Sequence, residues 1–171
     1  MSTVYMTIGF SGSGKSTFAR NFIKDKPKVK IVSPDGFRKM FNGEYKYLPE
    51  LDDVITRCTY DAASLLLCNG YDVIIDCGNL QRSADRRALW KNGLSADRFV
   101  AVVMPMDNPV SWYVERRKRK PHWDMVDWEK IVEAEMKAYE PPTLDEFDEI
   151  WHTNEEGRIV AKYLVDCKHN V

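Results

Sequence analysis

At 171 residues, 44% of them hydrophobic, the chain is long enough to bury a core without crosslinks, and a single domain spanning residues 1–171 is expected. Twenty-five lysines and arginines stand against 26 acidic residues, a formal net charge of -1, which excludes coating nucleic acid by bulk charge and leaves only local basic patches. The four cysteines (Cys58, Cys68, Cys77, Cys167) form no CxxC pair, and His122, His152 and His169 are scattered, so zinc-site spacing is excluded and reduced thiols are expected.

The first apolar run, Val4 to Ile8, reads as a β-strand, too short for a signal-peptide core; no later run approaches membrane-spanning length, so a cytoplasmic protein without a membrane partner is expected. The strand runs directly into Gly9-Phe10-Ser11-Gly12-Ser13-Gly14-Lys15-Ser16-Thr17, which matches G-x-x-x-x-G-K-[ST]. The spacing has a physical basis. Glycines let successive backbone N–H groups turn inward around phosphate oxygens, and the helix that follows aims its positive end at the same anion. Gly9, Ser11, Gly12, Ser13, Gly14, Lys15, Ser16 and Thr17 are therefore the candidate nucleotide-binding residues. Lys15 would neutralise the β- and γ-phosphates, and Ser16 would offer its hydroxyl to magnesium.

A helix from Lys15 or Ser16 to about Asp25 ends before Pro27, and Val29–Val32 reads as the second strand. At that strand's C-terminal end, where ligands collect in open α/β sheets, stands Ser33-Pro34-Asp35-Gly36-Phe37-Arg38. Phosphoryl transfer to an alcohol needs a carboxylate within reach of the attacking hydroxyl, so Asp35 is the candidate base; the alternative is a helix N-cap. Arg38, one helical turn on, would hold an anionic part of the acceptor.

A helix over about Asp53–Cys68 follows, with Ile55, Cys58, Ala62 and Leu65 or Leu66 as its apolar stripe, before Asn69-Gly70 stops it. The third strand, Val73-Ile74-Ile75, closes on Asp76, an arrangement that would fix magnesium or its waters. Asn79 either hydrogen-bonds Asp35 or the acceptor, or forms a turn. Phe99–Val103 is the fourth strand. Asn108 as cap and Pro109 in the first turn then start a helix ending in Arg116-Arg117-Lys118-Arg119-Lys120. That run is either a solvated helix end or a lid, over about residues 116–125, that brings Arg116, Arg119 and Lys120 over the transferred phosphate. A helix over about Val126–Tyr139, a weak strand at Glu149-Ile150-Trp151 and a weakly determined tail over about residues 159–171 complete the chain. Short buried strands alternating with helices predict an α/β fold: a mostly parallel five-stranded sheet with helices on both faces and a basic lid. No NKxD guanine-reading motif follows the later strands, which favours a kinase over a GTPase switch.

Along most of its length the sequence resembles the 5′-kinase module of phage-type polynucleotide kinase-phosphatases. The likeness rests on TIGFSGSGKSTFAR, PDGFR, Tyr45-Lys46-Tyr47, IIDCGNL, RRALW, the basic run and YEPPTLDEFDEI. The resemblance implies an ATP- and Mg2+-dependent kinase of the P-loop kinase fold that acts on 5′-hydroxyl DNA or RNA ends in nucleic-acid repair. It makes Asp35 the general base, Arg38 the grip on the acceptor's backbone, and Lys15 with Ser16 the donor-side residues. The family's two lid arginines, spaced R-x-x-x-R, correspond to Arg116 and Lys120, with Arg119 beside the latter. Gly78 stands where the family carries threonine. No DxDGT phosphatase motif is present, so a stand-alone kinase is expected. Arg38, Tyr45, Tyr47, Arg82, Arg86, Arg87 and Trp90 are candidates for a polynucleotide channel. A small-molecule or zeta-toxin-like kinase and a non-catalytic ATP-binding module are the competing readings. The sequence does not decide between monomer and homo-oligomer.

Overall fold

The computed structural model describes residues 1–44, 46–78, 80, 83–119 and 126–165. Its strands and helices alternate: β1 (Thr3–Ile8), α1 (Lys15–Phe22), β2 (Val29–Val32), α2 (Pro34–Asn42), α3 (Asp52–Cys68), β3 (Asp72–Ile75), α4 (Ala84–Gly93), β4 (Arg98–Val103), α5 (Val110–Lys118), α6 (Trp128–Lys137), β5 (Glu149–Thr153) and β6 (Ile159–Leu164). The sheet has six strands in the order β2-β3-β1-β4-β5-β6, parallel throughout except for the antiparallel β5–β6 pair.

The strands expected from sequence are all present, within two residues at each end. The sixth is a correction: residues 159–164, read from sequence as tail, pair with β5 through the turn closed by Gly157. Exposed residues on β6 hid it, because Val160, Tyr163 and Leu164 remain more than half exposed and leave no buried alternation to read.

β1 lies at the centre because its residues are apolar on both faces. Val4, Met6 and Ile8 join Ala63, Leu67 and Trp90 on the side covered by α3 and α4; Tyr5 joins Phe18, Ala19 and Trp151 on the side of α1. In α3 the buried stripe is Ile55, Thr59, Ala63 and Leu67, one position beyond the expected Cys58, Ala62 and Leu66 for most of its length, and Leu65 points outward at 65% exposed. Pro109, not Asn108, is the residue flanking α5, and α6 is shorter than its apolar pattern, capped by the Asp127 side chain on the Lys130 N–H. A third cluster, Phe10, Tyr113, Val114, Trp128 and Val132, fastens the α5–α6 pair to the glycine loop after β1. Among the described residues no helix is long and apolar enough to cross a membrane.

Candidate active site

The loop Gly9–Gly14 leaves β1 and enters α1 through Gly14, whose φ of 104° lies in the left-handed region, and no side chain caps the helix. The first amides of α1 have no intrahelical acceptor, so their N–H groups and the helix dipole are available to an anion. Gly12, also left-handed at φ 85°, packs so closely on α5 that a Cβ would press into the Tyr113 carbonyl. Gly9 is crowded in the same way by Ser13 and Met104. These glycines are dictated by close approach as well as by phosphate.

A cleft of about 820 Å³ opens at the C-terminal ends of the strands. Ser11, Gly12, Gly14, Lys15, Ser16 and Thr17 of the loop and α1 line it, with Asp35, Arg38 and Tyr47, with Asp76 and Gly78 after β3, and with Arg116 and Arg119 from α5 and its C-terminal end. The fold thus brings the predicted donor, acceptor and lid residues together from four separate segments. Gly9 and Ser13 do not line the cleft. Ser13 is buried, and its hydroxyl has no hydrogen-bond partner among the described residues. Lys120, Asn79, Tyr45 and Arg82 lie outside the described residues.

Asp35, in the first turn of α2, is exposed, and its Oδ1 accepts from Arg38 Nη1 at 2.8 Å. Arg38 is mostly enclosed and also donates Nη2 to Asp52 Oδ1 at 2.5 Å. Asp52 opens α3 and was missed from sequence. The guanidinium is therefore held between two carboxylates, with the Tyr47 ring beneath it at 5.4 Å.

Arg116 donates Nε to the Gly12 carbonyl at 3.0 Å and lies over Trp112, so it is anchored on the loop. Arg117, not singled out from sequence, lines the cleft and lies over the Trp128 ring at 4.3 Å. Arg116, Arg117 and Lys118 belong to α5 itself, and Arg119 is its C-cap.

The polynucleotide channel expected from sequence needs one correction. Arg87 is 1% exposed and does not face the cleft. Its guanidinium bonds both Glu146 carboxylate oxygens at 2.7 and 2.9 Å, and the Leu80 and Glu140 carbonyls at 3.1 and 2.9 Å. Trp90 is also mostly buried, stacked on Tyr60 at 4.3 Å, although its edge reaches the cleft. Arg86 and Tyr47 remain exposed on the wall.

Glu135 of α6 is a second residue missed from sequence. It is 3% exposed, and its carboxylate accepts from the Ser11 N–H at 2.6 Å and from Ser11 Oγ at 2.9 Å. The helix pattern held the signal: Trp128, Val132 and Glu135 are the buried positions of α6, so a carboxylate falls on the apolar stripe.

Lys15 turns its ammonium back to donate to the Gly9 and Phe10 carbonyls at 2.7 and 2.9 Å. Burial lowers its pKa from an ordinary 10.5, opposed by the charges of Glu135 and Asp76. Between the lowered value and 10.5 the unfolded chain holds a proton that the folded chain has released, so the nucleotide-free protein gains stability as pH rises through that window. Polyphosphate binding should respond in the opposite sense, because the neutral amine offers no charge. ADP titrations from neutral to alkaline pH should show affinity falling below the usual lysine range, and Lys15→Arg, whose guanidinium stays charged, should abolish that fall.

The family model described as AAA domain matches residues 4–142, from β1 past the end of α6. The chain belongs to the AAA domain family. Solved structures place this AAA domain among the P-loop kinases in fold. A chain of the Pnkp1/Rnl/Hen1 RNA repair complex matches with a TM-score of 0.65 at 27% identity, covering 80% of this chain and 43% of that one. The present chain thus spans less than half the length of that relative. A sugar kinase from Janibacter sp. matches with a TM-score of 0.63 at 15% identity, covering 91% and 87% of the two chains. Kti12 from Chaetomium thermophilum, in complex with ADP-AlF3, matches with 0.62 at 16% identity, covering 88% of each. The last two likenesses establish fold alone. A P-loop kinase fold with an intact phosphate loop carries nucleotide binding with it, and phosphotransfer is the chemistry of this class.

Proposed function

We propose that this AAA domain is an ATP-dependent kinase that phosphorylates the 5′-hydroxyl end of DNA or RNA. The observation that carries the reading is the Asp35–Arg38 pair at 2.8 Å on the wall of the cleft that also holds the phosphate loop. It sets a carboxylate that takes a proton beside a guanidinium that holds a phosphate. The resemblance of the phosphate loop, PDGFR and YEPPTLDEFDEI to polynucleotide kinases, and the match to a chain of an RNA repair complex, support the polynucleotide acceptor.

Each residue then has a role. The Gly12–Thr17 backbone cradles the donor phosphates, and Lys15 exchanges its loop carbonyls for phosphate oxygens. Asp35 accepts the hydroxyl proton. Arg38 trades a carboxylate partner for the acceptor's internucleotide phosphate. Arg116 of α5 and Arg119 at its C-terminal end face the transferred group; the rest of the lid expected over residues 116–125 lies outside the described residues.

Magnesium fits the residues present. Ser16 and Asp76 offer hard oxygen donors to one cleft, and the ion needs only one or two protein oxygens when phosphates and water supply the rest. Bound there, it would neutralise charge on the donor phosphates.

The test is to incubate the protein with ATP, magnesium and 5′-hydroxyl DNA and RNA oligonucleotides, beside a panel of sugars and nucleosides. Phosphate should appear on oligonucleotide 5′ ends. Transfer to a small molecule alone would replace this reading with a small-molecule kinase, and transfer to neither would leave a nucleotide-binding module.

A further inference from the structure

Glu135 is a buried negative charge beside a cradle built for polyanions, which disfavours the very ligand the loop accepts. Its contacts show what it does instead. Both carboxylate oxygens are spent on one residue: Oε2 on the Ser11 N–H and Oε1 on the Ser11 hydroxyl.

The neighbours of Ser11 are held by the same pair of helices. Phe10 meets the Tyr113 ring edge-on at 5.4 Å and packs with Val114 of α5 and with Trp128 and Val132 of α6. Gly12 sits against the Tyr113 carbonyl, and its own carbonyl accepts from Arg116. The first half of the loop is therefore shaped by α5 and α6, whereas Lys15–Thr17 belong to α1. Arg116 belongs to α5 and Arg119 is its C-cap, so the helix pair that shapes the cradle's first half also carries the basic residues beside it.

We propose that Glu135 is a positioning residue for the donor site, whose two-point hold on Ser11 sets the first half of the phosphate loop and couples it to α6. The proposal rests on nucleotide binding by the loop and not on the identity of the acceptor. Packing alone cannot do the same work, because an apolar residue at 135 would leave the part-buried Ser11 amide and hydroxyl without that acceptor. The Lys15 ammonium donates to the carbonyls of Gly9 and Phe10, the two residues before Ser11, so it rests on the part of the loop that Glu135 secures.

The experiment is ADP binding by calorimetry, with thermal unfolding of the nucleotide-free protein in parallel. Glu135→Gln keeps an oxygen for the Ser11 N–H and an amide N–H for the hydroxyl, so it should bind ADP within about threefold of wild type or tighter. Glu135→Ala loses both bonds and should bind about tenfold or more weakly, with the same change appearing in KM for ATP and not in KM for the acceptor. Ser11→Ala, which retains the amide bond, should fall between them. A purely structural role for Glu135 would lower the unfolding midpoint in Glu135→Ala while ADP affinity stays at the wild-type value, and that result overturns the proposal. So does Glu135→Gln binding as weakly as Glu135→Ala. Should Glu135→Ala fail to fold, Glu135→Asp replaces it, being too short to keep both bonds: affinity about fivefold or more below that of Glu135→Gln supports the proposal, and equal affinities overturn it. ADP binding needs no acceptor, so failure of the polynucleotide reading leaves this test intact.

Discussion

Replacing Asp35 with asparagine should lower oligonucleotide phosphorylation by about 10²–10⁴-fold while leaving ADP affinity within about twofold. The separation follows from position. Asp35 opens α2 on the acceptor side of the cleft, where its ion pair is with Arg38, and the phosphate loop is held by α1, α5 and α6. Asparagine keeps the volume and can still accept from Arg38, which also stays tied to Asp52, so the wall keeps its shape. What is lost is a group able to take the proton of the attacking hydroxyl. Single-turnover phosphorylation of a 5′-hydroxyl oligonucleotide, with ADP calorimetry on the same preparation, checks both halves. Unchanged turnover would remove Asp35 from the reaction, and lost ADP affinity would show that its role is structural.

Truncating Arg87 should be the most damaging change to the fold, about 3–5 kcal/mol for Arg87→Ala. The guanidinium is 1% exposed, and it answers the Glu146 carboxylate and the carbonyls of Leu80 and Glu140 at once. Removing it leaves a mostly enclosed carboxylate and two carbonyls without that donor, on top of the space vacated. Three segments would loosen together: α4, the loop after β3 that contains Leu80, and the stretch from Glu140 to Phe147. The damage should reach function, because Leu80 lines the cleft just beyond Asp76 and Gly78. Urea unfolding measures the loss. The pair is isolated by a double-mutant cycle, in which Glu146→Gln should cost much less in the Arg87→Met background than in wild type. Additive effects would mean that the contact contributes little beyond its individual groups.

Much of the candidate site was legible because the pattern that marks it is local. The phosphate loop announces itself in nine consecutive residues, since the backbone turns that gather amides around phosphate require glycine at fixed offsets, and Gly12 and Gly14 do adopt left-handed φ. Asp35 and Asp76 were readable because each follows closely on the C-terminal end of a strand, and parallel strands bring those ends to one edge. Arg38 was readable because one helical turn separates it from Asp35.

Contacts between distant segments were not legible. Ser11 and Glu135 are 124 residues apart, and Arg87 and Glu146 are 59 apart. RRALW, read along the chain, offers its arginines equally to solvent, to a nucleic acid or to a buried carboxylate. Only the packing of α4 against the Pro141-Pro142 segment turned Arg87 inward and left Arg86 on the cleft wall. Asp52, likewise, is an ordinary first-turn acid until α3 comes to lie beside α2.

The amino-acid order by itself determined the strand–loop–helix at the start of the chain, the α/β class and the acids at the strand ends, because backbone geometry and hydrophobic period are properties of neighbouring residues. The tertiary structure alone decided which charges face the cleft and which are spent holding it together. A charged side chain can be satisfied by any partner that packing brings within reach, and that partner is named by the fold.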